Sequence, residues 1–269
     1  DPAVTVHYPT DAEAAWAALS AAIDADPERF KRFMSHEPQT NEVGRSGCLL
    51  GGFLTVAAET GLPLSLVELG ASAGLNQIWD RFGYRLGEAR WGDAASPVQL
   101  NPQWQGRLPP LDAVVKVAAR RACDRKPVDI SQEDQRRRLI AYVWADQPER
   151  LARVKAAVDL AARAGVKVET ADAQAFVRAA GAPQSGVATV IFHSVFWQYM
   201  PPEAQTATKA AIEAHAATAT AAAPLAWLRM EPDLQDMLSH YVTLTLWPTG
   251  ETRVLAQVHP HGAQINWLT

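Results

Sequence analysis

The stretch "LPLSLVELGASAGLN", Leu62 to Asn76, changes character halfway along. "LSLVEL" is an almost unbroken apolar run ending at Glu68. Such a run suits a central parallel strand, which is covered on both faces and has no polar side to alternate with. Small residues follow at Gly70, Ser72 and Gly74, where a chain turns sharply at little steric cost. A helix is then expected over "GLNQIWDRF". Strand, tight turn and helix form the opening unit of a parallel α/β sheet.

Outward from this stretch the alternation continues. "DAVVKVAARRAC" reads as a second strand. "SQEDQRRRLIAYVW", capped by Ser131, and "QPERLARVKAAVDLAARAG" read as a helix broken at Pro148 and stopped at Gly165. "VKVET", "GVATVIFHS" and "PLAWLRME" are further strands, with helices over "AQAFVRAAG" and "PPEAQTATKAAIEAHAATATAA" between them. "YVTLTLW" and "TRVLAQVH" flank a Pro-Thr-Gly turn and read as a C-terminal antiparallel hairpin.

The region before Leu62 reads as helical. "TDAEAAWAALSAAI", capped by Thr10 or Asp11, places Ala14, Trp16, Leu19 and Ile23 near helical spacing. "DPERFKRFMS" starts at Pro27, and "NEVGRSGCLLGGFLTVAAET" stops at Gly61-Leu62-Pro63. The division predicted is an N-terminal helical subdomain or lid over 1–61 and an α/β domain over 62–269. Residues 84–112, rich in Gly, Pro, Trp and Asp, read as an insertion. The fold class predicted is α/β, a doubly wound, mostly parallel, seven-stranded sheet with ligands at the carboxyl ends of its strands.

A chain of 269 residues with 48% hydrophobic content can bury a full core. Its formal net charge of −4, with acids and bases interspersed, argues against a nucleic-acid partner held by bulk electrostatics. Cys48 and Cys123 stand far apart without a C-x-x-C pattern, so neither a disulfide framework nor a zinc site is expected, and a reducing cytoplasm is the expected location. No run of about 20 uncharged apolar residues is present, so no membrane span is expected. "DPAVTVHYPT" has no basic n-region or apolar h-region, so no signal peptide is expected.

The loop after Leu69 admits two chemistries. Gly70-Ala71-Ser72-Ala73-Gly74 matches the G-x-S-x-G elbow, in which Ser72 is a nucleophile. That reading needs a histidine and an orienting acid, and the order Ser72, Asp172 or Asp233, His259 or His261 supplies them. It lacks earlier strands before the elbow and an H-G-G-G-like oxyanion loop. In the second chemistry the small residues admit a nucleoside cofactor, and the helix N-terminus offers free N–H groups to its anionic end. A ribose-binding acid is then expected at the end of the next strand. Glu88 and Asp93 have the short interval usual for such folds but no strand ahead of them, whereas Asp124 ends "AVVKVAARRACD". Binding without catalysis also stays open. An NAD-dependent dehydrogenase is weaker, because G-x-G-x-x-G is missing.

The segments "EPQTNEV", "VELGASAGLN", "HSVFWQYM", "LAWLRMEP", "LTLWPTG" and "HPHG" together resemble a bacterial family of uncharacterised, methyltransferase-like proteins. The likeness runs the length of the chain, although Ser72 stands where glycine is usual in methyltransferase loops. The resemblance implies a Rossmann-like methyltransferase fold, S-adenosylmethionine as cofactor and methyl transfer to a small-molecule acceptor. It implies cofactor contacts at Glu68, Gly70, Ser72, Gly74, Asn76, Asp124, Asp172, Ala173 and His193.

Chemistry is expected on the loop after "VIFHS". Methyl transfer is an in-line displacement that needs orientation and sometimes a base. His193 at a strand end reads either as that base or as a partly buried histidine bonded to a neighbour or touching the cofactor, with Tyr199 beside it. Trp197 and Tyr199 read either as an apolar wall around a sulfonium, by cation–π contact, or as ordinary core packing. In "HEPQTNEVGR", Asn41 and Glu42 read either as helix caps or as part of a lid whose Arg45 meets a carboxylate of cofactor or substrate. Arg229 and Glu231 are expected to point into the same crevice or to pair with each other. His261 is expected at the substrate rim, and no metal is assigned to the His259–His261 pair.

Overall fold

The computed structural model describes residues 11–36, 38–144, 146–233 and 235–269. The Thr10 cap expected from sequence lies outside these. Asp11 caps α1 (Ala12–Ala25), accepting the N–H of Glu13, and Asp26 caps α2 (Pro27–Met34) by accepting that of Arg29. Neither helix has a buried residue, and Trp16 and Leu19 face solvent rather than a core. By contrast, α3 (Arg45–Thr60) is buried along most of its length and ends at Gly61, which has a φ of 64°. Gly51 and Gly52 let α3 lie flat on the sheet. A Cβ at either would come within 2.3 Å of Trp267 or Leu228 respectively. The sequence groups α3 with α1 and α2, whereas its packing makes it a core layer of the α/β body.

Among the described residues the main sheet holds nine strands, in the order β5-β12-β11-β10-β9-β8-β1-β6-β7. β1 (Leu64–Leu69), β6 (Val117–Asp124), β7 (Glu169–Thr170), β8 (Ala188–Ser194) and β9 (Leu225–Pro232) are parallel. From β9 the chain runs as an antiparallel meander through β10 (His240–Trp247), β11 (Glu251–Val258) and β12 (Gln264–Trp267). The expected hairpin is therefore β10–β11. The expected seven strands become nine because β12 extends the meander and β5 (Gln103–Gly106) pairs with β12 at its edge. Expected as an insertion, residues 84–112 contain that edge strand and most of a small sheet, β3-β2-β4, from β2 (Gly83–Leu86), β3 (Ala89–Gly92) and β4 (Gln99–Leu100). The helix expected after the loop is a 3-10 helix, Leu75–Arg81, with non-helical angles at Ile78.

Two apolar layers flank the sheet. Along β1 the two-residue period sends Leu64 and Leu66 to one and Val67 and Leu69 to the other. The first layer is completed by α3, the 3-10 helix, α4 (Glu133–Ala141) and α5 (Pro148–Arg163), and the second by α6 (Ala173–Ala180) and α7 (Pro202–Ala216). Each fully buried leucine of α3 contributes about 1.5–3 kcal/mol by transfer alone. The strand order reverses beside β1: the chain moves outward through β6 and β7, then returns to β8 on the opposite side. Between the carboxyl ends of β1 and β8 lies the switch point where open α/β sheets take their ligands.

Candidate functional site

The loop leaving β1 is left-handed at Gly70, Ser72 and Gly74, with φ of 66°, 52° and 71°. It is stitched to the end of β6. Ala71 N–H donates to the Cys123 carbonyl at 2.9 Å, Ser72 N–H to Asp124 Oδ2 at 2.9 Å, and Val128 N–H to the Ser72 carbonyl at 3.1 Å. Asp124 Oδ1 accepts Lys126 N–H at 2.8 Å. The acid at the mouth of the loop is thus Asp124. Glu88 lies in the separate small sheet region, its side chain almost fully exposed beside Arg85, and Asp93 binds its own turn there.

Across the switch point, β8 ends in a second strained residue. Val195 has a φ of 49°, and it and Ser72 are the non-glycine residues with positive φ among those described. For a β-branched side chain that is an outlier which persists only when its surroundings hold it. Those surroundings are visible. Val195 N–H donates to Met230, Phe196 and Trp197 N–H donate to the Glu231 carboxylate, and Arg45 Nη1 donates to the Ser194 carbonyl at 3.2 Å. Arg45 Nε also reaches the Pro260 carbonyl at 3.0 Å, tying β8 to the β11–β12 turn.

His193 is fully buried, and each ring nitrogen has a partner. Trp227 Nε1 can only donate, so His193 Nε2 accepts at 3.0 Å and the ring proton lies on Nδ1, facing Glu231 Oε1 at 2.6 Å. The base and cofactor roles expected for His193 are corrected on this ground: its one free lone pair is spent on Trp227. It pins the 195–197 loop through Glu231. Trp197 stacks on His193 at 5.2 Å and belongs to this aromatic cluster. Tyr199 is 75% exposed at the rim.

Several other expected contacts are already taken by protein. A Cβ on Gly70 would lie 2.1 Å from the Phe196 ring, and one on Gly74 2.7 Å from Val166. The small residues there let Phe196 and Val166 pack directly on the loop backbone. The N–H of Leu75 donates to Asn41 Oδ1 at 2.9 Å, so Asn41 caps the 3-10 helix, not α3. Asn76 is buried between Ser46 and the Glu42 carbonyl, which removes it as a cofactor contact. Glu68 is buried beneath the loop, bonded to Gln77 Nε2 at 3.0 Å. Burial pushes its carboxyl up to about 8, helped by the nearby charge of Asp124 and opposed by the Gln77 bond. Glu68 is thus a buried buttress beneath the loop.

Asp172 is exposed and caps α6 at Ala175 N–H, with Ala173 buried behind it. Exposed His261 lies in the β11–β12 turn, its carbonyl against Gly44. Arg229 lies over the Trp227 ring, on the face shared with α7, and bonds Thr245 and not Glu231, whose carboxylate meets His193. Asp124 and Ser72 remain together at the crevice, with Arg45 bound to its far wall. Ser72 Oγ is buried without a hydrogen-bond partner, so among the described residues no imidazole activates it as the hydrolase chemistry requires.

Sequence reading missed the buried ion cluster that anchors the 41–46 segment. The fully buried Glu42 carboxylate lies 2.6 Å from Arg150 and 3.8 Å from Arg153 of α5, and accepts Gly44 N–H. Among the described residues no group of three or more His, Cys, Asp or Glu is arranged to hold a metal, and no helix is long and apolar enough to cross a membrane.

These features define an α/β protein on a large, mostly parallel sheet with strained, tightly bonded loops at its switch point. The chain belongs to the family described as "Uncharacterized protein conserved in bacteria (DUF2332)", whose model matches residues 1–267. No curated protein and no solved structure matches it.

Proposed function

We propose that the crevice between β1 and β8 binds S-adenosylmethionine in a Rossmann-like arrangement, and that the chain transfers its methyl to a small-molecule acceptor. The observation that carries this reading is Asp124 on the Ser72 N–H at 2.9 Å, at the mouth of a left-handed loop on the switch point. The parallel order β7-β6-β1-β8-β9 supports it.

The residues fit the nucleoside end of that cofactor. Each Asp124 oxygen accepts one backbone N–H and keeps a lone pair for a ribose hydroxyl. The buried, unpartnered Ser72 hydroxyl is a second polar group beside it, and Asp172 stands at the adjoining strand end. The methionyl end is less prepared, because Phe196 covers Gly70 and Asn41 holds the Leu75 N–H. When bound, the cofactor supplies an electrophilic methyl on sulfur. The chain supplies orientation and water exclusion through Phe196 and Trp197. With His193 locked, the acceptor is one whose nucleophilic lone pair needs no base from that ring. A cytoplasmic location goes with this reading, supported by two free, buried cysteines whose thiols burial pushes up to about 12.

Thermal unfolding with S-adenosylmethionine, S-adenosylhomocysteine or NAD tests it. A ligand at 100 times its Kd adds about 2.7 kcal/mol of stability, so the adenosyl ligands raise the melting temperature and NAD does not. No shift with either adenosyl ligand would end the proposal. The locked His193 favours a second reading, binding without transfer. It predicts the same shift with no S-adenosylhomocysteine formed from any acceptor.

A further inference from the structure

A cavity of about 690 Å³ opens between α7 and the outer face of β9, β10 and β11. Its origin is topological. β9 passes into β10 without a crossover helix, so α7 and the residues just after it face these strands across the cavity. Trp227 and Arg229, two residues apart on β9, share the face. Thr245 stands opposite Trp227 on β10, and Trp247, Lys209 and Glu213 are also part of the wall.

Among the described residues the Arg229 guanidinium of this cavity has no carboxylate partner, the Glu213 carboxylate in the wall being paired with Lys209. The Arg229 guanidinium lies 4.2 Å over the Trp227 ring and donates once, from Nη1 to Thr245 Oγ1 at 3.2 Å. A guanidinium carries about five N–H donors. Among the described residues no carboxylate lies within 4.0 Å of it. Glu231, whose field it feels, is spent on His193, Phe196 and Trp197. Thr245 also shares a hydrogen bond with Thr252 at 2.8 Å, which fixes the hydroxyl that orients the fork. Burial pushes Arg229 down to about 10, the sign of a charge poorly compensated by its surroundings. Lys209 adds a second cation, held only by Glu213 at 3.4 Å on the exposed helix. Ligand sites commonly combine apolar and aromatic walls with a few convergent polar groups in a volume of roughly 300–1,000 Å³.

We propose that this cavity is a ligand site, separate from the crevice at Ser72 and Asp124, for a small planar organic anion. The carboxylate or phosphate oxygens of that ligand take the free edge of Arg229, where a bidentate pair is strongest, and its ring lies against Trp247. This assignment does not depend on the cofactor reading. It has a built-in reporter, since Trp227 forms part of the wall and its indole N–H is bonded to His193.

The test is ¹⁵N-indole NMR of the full chain titrated with benzoate, phenyl phosphate, inorganic phosphate and benzylamine, with Trp227→Phe and Trp247→Phe assigning the two signals. Benzoate, phenyl phosphate or both shift the Trp227 and Trp247 signals saturably, and which one binds tighter distinguishes carboxylate from phosphate. Arg229→Gln weakens that binding by about tenfold or more, the scale of a lost bidentate charged contact. Lys209→Glu, on an exposed helix position that does not threaten folding, weakens it too. The proposal is overturned by unmoved indole signals at saturating benzoate and phenyl phosphate. It is equally overturned if Lys209→Glu and folded Arg229→Gln both bind like wild type, if benzylamine binds as well as the anions, or if inorganic phosphate binds as tightly as phenyl phosphate.

Discussion

Replacing Gly70 by alanine tests whether the strained loop is closed by Phe196. Two costs arise at that position. An L-residue at a φ of 66° pays about 1–2 kcal/mol for the left-handed backbone. The new Cβ would also meet the Phe196 ring at 2.1, 2.6 and 2.8 Å. Overpacking of that kind costs about 1–3 kcal/mol, so Gly70→Ala should destabilise the fold by about 2–5 kcal/mol. Gly61 is the internal control, since its φ of 64° is nearly the same and a Cβ there meets nothing within 4 Å. Gly61→Ala should therefore cost only the backbone share. Urea unfolding measures both, and Gly70→Ala with Phe196→Ala closes a double-mutant cycle. The clash share should vanish in the double variant while the backbone share persists. If Gly70→Ala costs no more than Gly61→Ala, Phe196 does not cover the loop and the closed crevice described above is wrong.

Three further outcomes are expected. Burial pushes the Glu68 carboxyl up to about 8, above its ordinary value of 4.5, so between those values the folded state binds more protons than the unfolded one. Its contribution is fully present below about pH 4.5 and is lost as pH rises through 8, so Glu68→Gln should flatten this fall and stabilise the protein most at pH 8, by urea unfolding. Glu42→Gln leaves Arg150, 13% exposed, without its carboxylate, and should cost about 3–5 kcal/mol by the same measurement. Cys48 and Cys123 should stay unreactive toward a disulfide reagent at pH 8 until the chain is denatured, and prompt labelling of the native protein would contradict their burial.

What sequence makes legible here is local. β1, β8 and β9 announce themselves as apolar runs, and the Pro-Thr-Gly turn marks the β10–β11 hairpin. Asp124 is legible as a strand-end acid. What escapes depends on partners far along the chain. β5 enters the main sheet only by pairing with β12, as Gln103 with Gln264, far along the chain. The burial of α3 depends on Gly51 and Gly52 meeting Trp267 and Leu228, which helical periodicity does not encode. His193 reads as a base because its position at a strand end is visible and its partners Trp227 and Glu231 are not. Asn41 reads as a helix cap, as it is, but of the helix beginning at Leu75. The donor-and-acceptor type of each polar residue is legible, whereas its occupant is decided by topology.

The most direct measurement is isothermal titration of S-adenosylhomocysteine into wild type and Asp124→Asn, both held well below their melting temperatures. The crevice account predicts saturable one-to-one binding to wild type, weakened about tenfold or more in the variant, where a carboxylate is lost from the diol site. Equal affinity in the two proteins, or no heat and no binding in wild type at millimolar ligand, would contradict it.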